Sequence, residues 1–416
     1  MEIFNTIILL LINVLIKTAP IWVPVVLTAV AFSFWVKYIR KNFINSIKWT
    51  LLEIRIPKEI MKSPAAMELA LINAFQQSGG VGTWMAKWWL GKVLLWFSLE
   101  LVSTGGNVKF FVRIPSQFKD IVETNIYAQY PTVEIVPHEV DYVDQIPSFE
   151  KDNGWNLWGC NFVLAKDDPL PIKTYIDFGL DKAVGSEEEE KIDPMSSIIE
   201  TLASMKAGEH MWIQIMIRSV PDRYTAPGHW FKKRSWQDLG KEMVKKIIEE
   251  NGGKDGTGKP LKDYSKLTDG QKDIVKAIER SISKPGFDAG IRVLYLGEGE
   301  AFKGMNITTI TGLYKSFGIG HLNGFRPTNI PAFDYDWQDY TKNRSFNLKK
   351  DLFNSYKIRS YFYPPYDKKR GVKNKPFVLN SEELATIYHF PGRVVSAPSF
   401  ERIDSTKSQP PANLPI

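Results

Sequence analysis

From Ala19 to Val36 the chain runs Ala-Pro-Ile-Trp-Val-Pro-Val-Val-Leu-Thr-Ala-Val-Ala-Phe-Ser-Phe-Trp-Val without one charged side chain. As a helix, a stretch of this length crosses a hydrocarbon core of about 30 Å. Trp22 and Trp35 lie near its two ends, where amphipathic indoles favour the membrane interface. Lys37, Arg40, Lys41 and Lys48 follow, with no acid before Glu53. That excess of positive charge assigns the downstream chain to the cytoplasmic side. A cleaved secretory signal carries its basic residues before the apolar core, not after it. The expectation is therefore an anchor and basic juxtamembrane segment over residues 1–41, held in a bacterial inner membrane with the bulk of the chain cytoplasmic. A second apolar stretch, Ile3 to Ile16, fits a first short span, an interfacial segment or an extension of one tilted helix. One or two spans thus stay open, with Pro20 and Pro24 expected to mark the start of the second.

The 416 residues suffice for two or three domains with their own cores. The lone cysteine, Cys160, excludes a disulfide framework within the chain and any cysteine-based zinc site. The net charge of +7 is modest, so its distribution matters more than its total.

Residues 46–142 read as one α+β unit. Trp49 to Pro57 alternates apolar and polar residues and stops at proline, as a half-buried strand does. Ser63-Pro64 opens a helix bearing Met67, Leu71, Ala74 and Phe75 at helical spacing. After a tryptophan-rich stretch (Trp84, Trp88, Trp89), two alternating runs flank Gly105-Gly106-Asn107, a hairpin signal. Ser116 is expected to cap a helix ended by Pro131, and Thr132 to Val136 closes the unit as a strand. Strand, helix, strand, strand, helix, strand is the ferredoxin-like order. Residues 150–330 repeat it with interruptions. Strands are expected over Leu157–Ala165, His210–Arg218, Phe287–Leu296 and Leu322–Arg326, and helices over Pro194–Met205, capped by Asp193, and Thr308–Phe317. A charged helical insertion, about 236–283, separates the two central strands. The fold class is α+β: one or two membrane helices, then two ferredoxin-like units, then an irregular basic-aromatic region over 331–416 with a linker-like tail.

That last region carries the best candidate for binding. Between Thr341 and Pro376 there are eleven Lys/Arg against two Asp/Glu, interleaved with tyrosines and phenylalanine. Cations neutralise phosphate, and aromatic faces stack on unpaired bases. Lys349, Lys350, Arg359, Tyr361, Phe362, Tyr363, Lys368, Lys369 and Arg370 are therefore candidate contacts with nucleic acid or a partner; anionic lipid and a plain solvated strip compete. A short helix follows, capped by Asn380 with Glu383 returning the bond, and Glu382, Glu383, Tyr388 and His389 complete the candidate surface. Phe110 and Phe111 sit on a central strand but face opposite sides, so at least one belongs to the core.

Catalytic signatures are weak throughout. Gly253-Lys-Asp-Gly-Thr-Gly258-Lys259 imitates a phosphate loop, but Pro260 stands where a magnesium-holding hydroxyl is required. The five histidines are scattered without ligand spacing, no nucleophile elbow appears, and the acidic run Glu187–Glu190 and the pair Asp167-Asp168 read as loop and turn. No catalytic, cofactor or metal residue is assigned.

With these segments placed, the chain resembles bacterial type IV secretion and conjugation-type proteins, in which a membrane anchor and α/β region precede a DNA-translocase-like ATPase. The resemblance rests on Leu52-Glu-Ile-Arg-Ile-Pro-Lys-Glu59, Lys62-Ser-Pro-Ala-Ala-Met-Glu-Leu69, Phe97-Ser-Leu-Glu-Leu-Val-Ser103, Leu322-Asn-Gly-Phe-Arg-Pro-Thr328, Tyr361-Phe-Tyr-Pro-Pro-Tyr366, Ser381 to Gly392 and Pro410-Pro-Ala-Asn-Leu-Pro415. It implies a non-enzymatic, membrane-anchored scaffold or adaptor that docks a separate P-loop ATPase and other secretion-complex proteins. It carries over no nucleotide-binding residue, because the sequence ends where that domain would begin. The alternative is a membrane-tethered module for single-stranded nucleic acid. A homo-oligomer fits either.

Overall fold

In the computed structural model the described residues are 2–57, 62–76, 81–146, 148–151, 153–181, 193–221, 224–225, 233–252, 264–333, 335–365 and 375–392. The apolar N-terminus forms a single continuous helix, α1 (Glu2–Ser46), about 67 Å long at 1.5 Å per residue. Of the arrangements open for residues 3–16, the extension of one helix is adopted. Pro20 and Pro24 lie inside it instead of marking a start, each removing one main-chain donor. The part from Ile16 to Ser46 is long and apolar enough to cross a membrane.

In chain order there follow β1 (Trp49–Arg55), α2 (Pro64–Phe75), α3 (Trp84–Trp88), β2 (Phe97–Thr104), β3 (Asn107–Pro115), α4 (Lys119–Gln129), β4 (Glu134–His138), β5 (Trp155–Leu164) and α5 (Pro194–Ala203). Then come β6 (Glu209–Ser219), β7 (Tyr224–Thr225), β8 (Lys233–Arg234), α6 (Trp236–Asn251), α7 (Asp269–Ser283), β9 (Gly286–Glu298) and α8 (Met305–Thr311). The last are β10 (Phe325–Thr328), α9 (Asn343–Lys357), β11 (Phe377–Asn380) and α10 (Ser381–Ile387). Two compact units result: Met1–Lys48 with Gly79–Leu95, and Trp49–Ser78 with Trp96–Ile416. Residues 79–95 thus leave the second unit to join α1.

The second unit is organised by one antiparallel sheet in the order β10-β5-β9-β6-β2-β3-β1-β4, with β11 also on β9; β7 and β8 form a separate ribbon. Its halves have matching connectivity. In the first, β4-β1-β3-β2, helix α2 joins β1 to β2 and α4 joins β3 to β4. In the second, β10-β5-β9-β6, helix α5 joins β5 to β6, and α8 lies between β9 and β10. The halves meet where β2 pairs β6 from Phe97↔Ile217 to Thr104↔His210, so neither exposes that edge.

Local chemistry explains most element ends. Ser63 and Asp193 accept amide N–H bonds from Ala65 and Met195, each before a proline at the first turn. Ser235 with Asp238, Thr268 with Gln271, and Asn380 with Glu383 form reciprocal capping boxes. Gly105 and Gly106, at φ of +59° and +89°, turn the β2–β3 hairpin. Ser116 corrects one expectation. Its hydroxyl bonds that of Thr50, and α4 begins after a single 3₁₀ turn with no side-chain cap. The helix expected over 308–317 runs from Met305 to Thr311 and gives way to a 3₁₀ turn, Lys315–Phe317. The closing strand lies two residues later than its pattern suggested at its C-terminal end, pairing β5 from Phe325↔Leu164 to Thr328↔Asn161. The phosphate-loop imitation, the acidic run 187–190 and the tail lie outside the described residues. Asp167 and Asp168 do open a turn, closed by the Leu170 N–H on the Asp167 carbonyl.

Both sheet faces are covered. One packs on α2, α4, α5, α8 and α10 through residues such as Leu71, Phe110, Ile198, Ile213, Ile291 and Leu384. The other, through Leu51, Phe111, Leu157, Trp212 and Leu294, is covered by the 3₁₀ turn Tyr142–Gln145 and by Leu352, Phe353 and Tyr356 of α9. Phe110 and Phe111 are thus both core residues, one on each face.

Candidate functional sites: the anchor, the docked strip and an aromatic turn

In the first unit, Trp22 and Trp35 of α1 are partly exposed, and Lys37 and Lys41 are exposed beyond them. Arg40 is half-buried, its guanidinium 5.5 Å above the Trp88 ring. The α3 segment lies along this end of α1: Phe32 stacks on Trp88 at 5.7 Å, and Trp35 meets Trp89 at the same distance.

In the second unit, much of the predicted basic-aromatic strip is not a surface. A row of residues facing α9 crosses the sheet, Glu100 pairing Gln214 and Gln214 pairing Arg292 across β2, β6 and β9. These polar side chains are fully buried, which demands partners. The strip supplies them. Arg359, at φ +49°, donates from Nε to Glu100 Oε1 and from Nη2 to Glu100 Oε2, and also donates to Asp141. Tyr356 donates to the Tyr142 hydroxyl, which donates to Glu100 Oε2 at 2.8 Å. Gln214 donates to Glu100, and Arg292 to Gln214 and to the Ser360 carbonyl. Burial would raise the Glu100 carboxyl, but the charge and hydrogen bonds of Arg359 outweigh it and hold it at about 2.

Tyr361 packs on β9, where a Cβ on Gly290 would come within 2.1 Å of its ring. Phe362 sits 4.4 Å under the Arg218 guanidinium, and half-buried Tyr363 packs on Trp96. Arg359, Tyr361 and Phe362 are therefore corrected from ligand-facing to structural residues. Their rings and guanidinium are buried against the sheet. Lys349 and Lys350 are half-buried on α9, burial and Lys342 lowering the Lys349 pKa. Lys368, Lys369 and Arg370 lie outside the described residues.

The candidate helix is also internal. Every residue of α10 is buried, and Glu382 receives Lys284 at 2.9 Å and Arg280 at 3.2 Å. Lys284 also binds Glu68 of α2 at 2.8 Å, and Ser381 donates to the same carboxylate. Glu383 accepts the N–H groups of Ile172 and Asn380, and burial pushes its pKa up to about 8. Tyr388 is buried against Phe110. His389 donates from Nδ1 to the Ala385 carbonyl and from Nε2 to Asp193 at 3.1 Å. Burial alone would lower the imidazole pKa, but Asp193 raises it. Glu382, Glu383, Tyr388 and His389 are thus buried within the fold.

The exposed aromatics lie just upstream of the predicted strip. Tyr335, Trp337 and Tyr340 are 61%, 76% and 89% exposed, with the first two rings stacked at 6.1 Å. Asp339 fixes this turn by accepting the Arg344 and Ser345 N–H groups at the start of α9. Exposed Lys342 and Arg344 flank it. Sequence reasoning missed these rings because they show no periodicity; their spacing in Tyr335-Asp-Trp-Gln-Asp-Tyr340 was the only signal. Among the described residues no group of three or more His, Cys, Asp or Glu side chains is placed to hold a metal ion.

Fold and surface define a class: an α+β body on one antiparallel sheet, preceded by an apolar helix long enough to cross a bilayer. The chain belongs to the family described as "Domain of unknown function (DUF8128)", whose model matches residues 95–401. No curated protein matches the chain.

Proposed function

We propose that this protein is a non-enzymatic, membrane-anchored scaffold that docks a partner protein through the aromatic turn Tyr335–Tyr340. The carrying observation is that turn: three large exposed rings, pinned by Asp339 and bordered by Lys342 and Arg344. Tyrosine, tryptophan and arginine held rigidly at a surface are the residues that dominate protein–protein contacts. The helix Ile16–Ser46, in which the uncharged run Ala19–Val36 is followed by Lys37, Arg40 and Lys41, supports an anchor in a bacterial inner membrane with the body on the cytoplasmic side. The strand orders β4-β1-β3-β2 and β10-β5-β9-β6 support reading each half as a ferredoxin-like unit. The partner we propose is the separate P-loop ATPase that the resemblance to type IV secretion and conjugation proteins implies.

The test is affinity purification of the full chain from native membranes in mild detergent, wild type beside Trp337→Ala/Tyr340→Ala. Stoichiometric recovery of an ATPase with the wild type, lost in the variant, is expected. ATP hydrolysis by the protein alone, or equal recovery with the variant, overturns the reading. The same rings and cations also suit unpaired bases. Retention of single-stranded nucleic acid without a protein partner, falling steeply with salt, would replace docking by that second reading.

A further inference from the structure

The tryptophan-rich segment 83–92 has no role in the sheet, and its chemistry is unlike that of an ordinary loop. Thr83 caps α3 by accepting the Ala86 N–H. Trp88 faces α1, stacked on Phe32 and lying under both Arg40 and Lys87. Gly91, at φ +66°, brings the segment's backbone against that of α1: a Cβ there would stand 2.5 Å from the Ile39 carbonyl carbon. These contacts fix the segment along α1 between Phe32 and Arg40, where the uncharged run gives way to Lys37, Arg40 and Lys41. They leave Trp84, Met85, Trp89 and Leu90 between 55% and 71% exposed. From Val81 to Leu95 there is no acid, and the cations are Lys87 and Lys92.

We infer that residues 83–92 form a second membrane contact, a wedge seated in the interfacial zone of the anionic leaflet beside α1. The inference rests on the membrane reading of α1. Four large apolar side chains left in water at a fixed site are costly, while tryptophan is favoured at headgroup depth. Continuity with the span selects the occupant: Phe32, Phe34 and Trp35 on the same level of α1 are also exposed, and the same solvent must satisfy both. Five cations, Lys37, Arg40, Lys41, Lys87 and Lys92, with no acid among them match the charge of anionic lipid headgroups.

The test uses spin labels on the full chain in vesicles of phosphatidylethanolamine and phosphatidylglycerol. Met85→Cys and Leu90→Cys alter exposed side chains without touching the tryptophan contacts, and buried Cys160 does not compete for label. Labels at both positions are expected to collide several-fold more with oxygen than with a water-soluble nickel chelate, and a label at Lys87→Cys the reverse. Preference for the chelate at 85 and 90 overturns the inference, as does shielding from both reagents, which would mean cover by a second protein copy. Val30→Cys separates the two readings. Deep oxygen exposure at Val30 with chelate exposure at 85 and 90 sinks the wedge alone. Chelate exposure at Val30 sinks the anchor as well.

Discussion

Arg359 and Glu100 form a two-pronged ion pair wholly removed from water, with Nε–Oε1 and Nη2–Oε2 both at 3.0 Å. Arg359 lies beyond α9 and Glu100 on the central strand β2, so the pair fastens the C-terminal strip to the middle of the sheet. Its worth lies in the penalty for leaving either charge alone.

Arg359→Leu is therefore expected to cost about 3–5 kcal/mol, since it strands the buried Glu100 carboxylate, and Glu100→Leu less, since Arg359 keeps Asp141. The double substitution should cost far less than their sum. Arg359→Lys should not rescue, because an ammonium cannot reproduce the fork. Denaturant unfolding followed by tryptophan fluorescence checks this; additive single costs would refute the coupling.

Gly290→Ala should destabilise by about 1–3 kcal/mol, because its Cβ enters the Tyr361 ring. In a Tyr361→Ala background the same change should cost little. A double-mutant cycle reads the coupling directly, and an undiminished cost in that background would mean that the ring does not press on β9.

Stability should depend on pH through His389 and Asp193. The raised imidazole contributes stability that is complete below its unfolded value of 6.5 and is lost as pH rises through its folded value. Burial would raise Asp193, but His389 lowers it, so its share is complete above 3.8 and is lost as pH falls through the folded value. His389→Gln should flatten the alkaline limb of a stability–pH profile. An unchanged limb would remove the pair from the account.

Trp337→Ala and Tyr340→Ala should leave unfolding within about 0.5 kcal/mol of wild type, as substitutions of exposed side chains do. A large loss of stability would show that these rings pack in solution and would withdraw them as a docking surface.

Much of the architecture was legible because it is local. Alternation, the Gly105-Gly106 turn and caps such as Asp193 and Asn380 act over a few residues and leave a pattern in the chain. Edge-to-edge pairing of β2 with β6 was not legible, since nothing in either strand names a partner more than a hundred residues away. The fate of the strip was misread for the same reason. Arg359, Tyr361 and Phe362 have a composition suited to nucleic acid, but the buried Glu100–Gln214–Arg292 row that recruits them is assembled only by strand register. Exposed rings without periodicity, as at Tyr335 and Trp337, left only their close spacing to read.

The hydrogen bond from Ser381 to Glu68 joins residues 313 positions apart. At about 5–20 residues per second of synthesis, α2 waits roughly 15–60 s for the helix whose Ser381 hydroxyl donates to its buried carboxylate. The apolar α1 has emerged long before. The order of events is thus written into the topology: the apolar helix comes first, closure of the body last, and in between an open sheet needs protection from other chains.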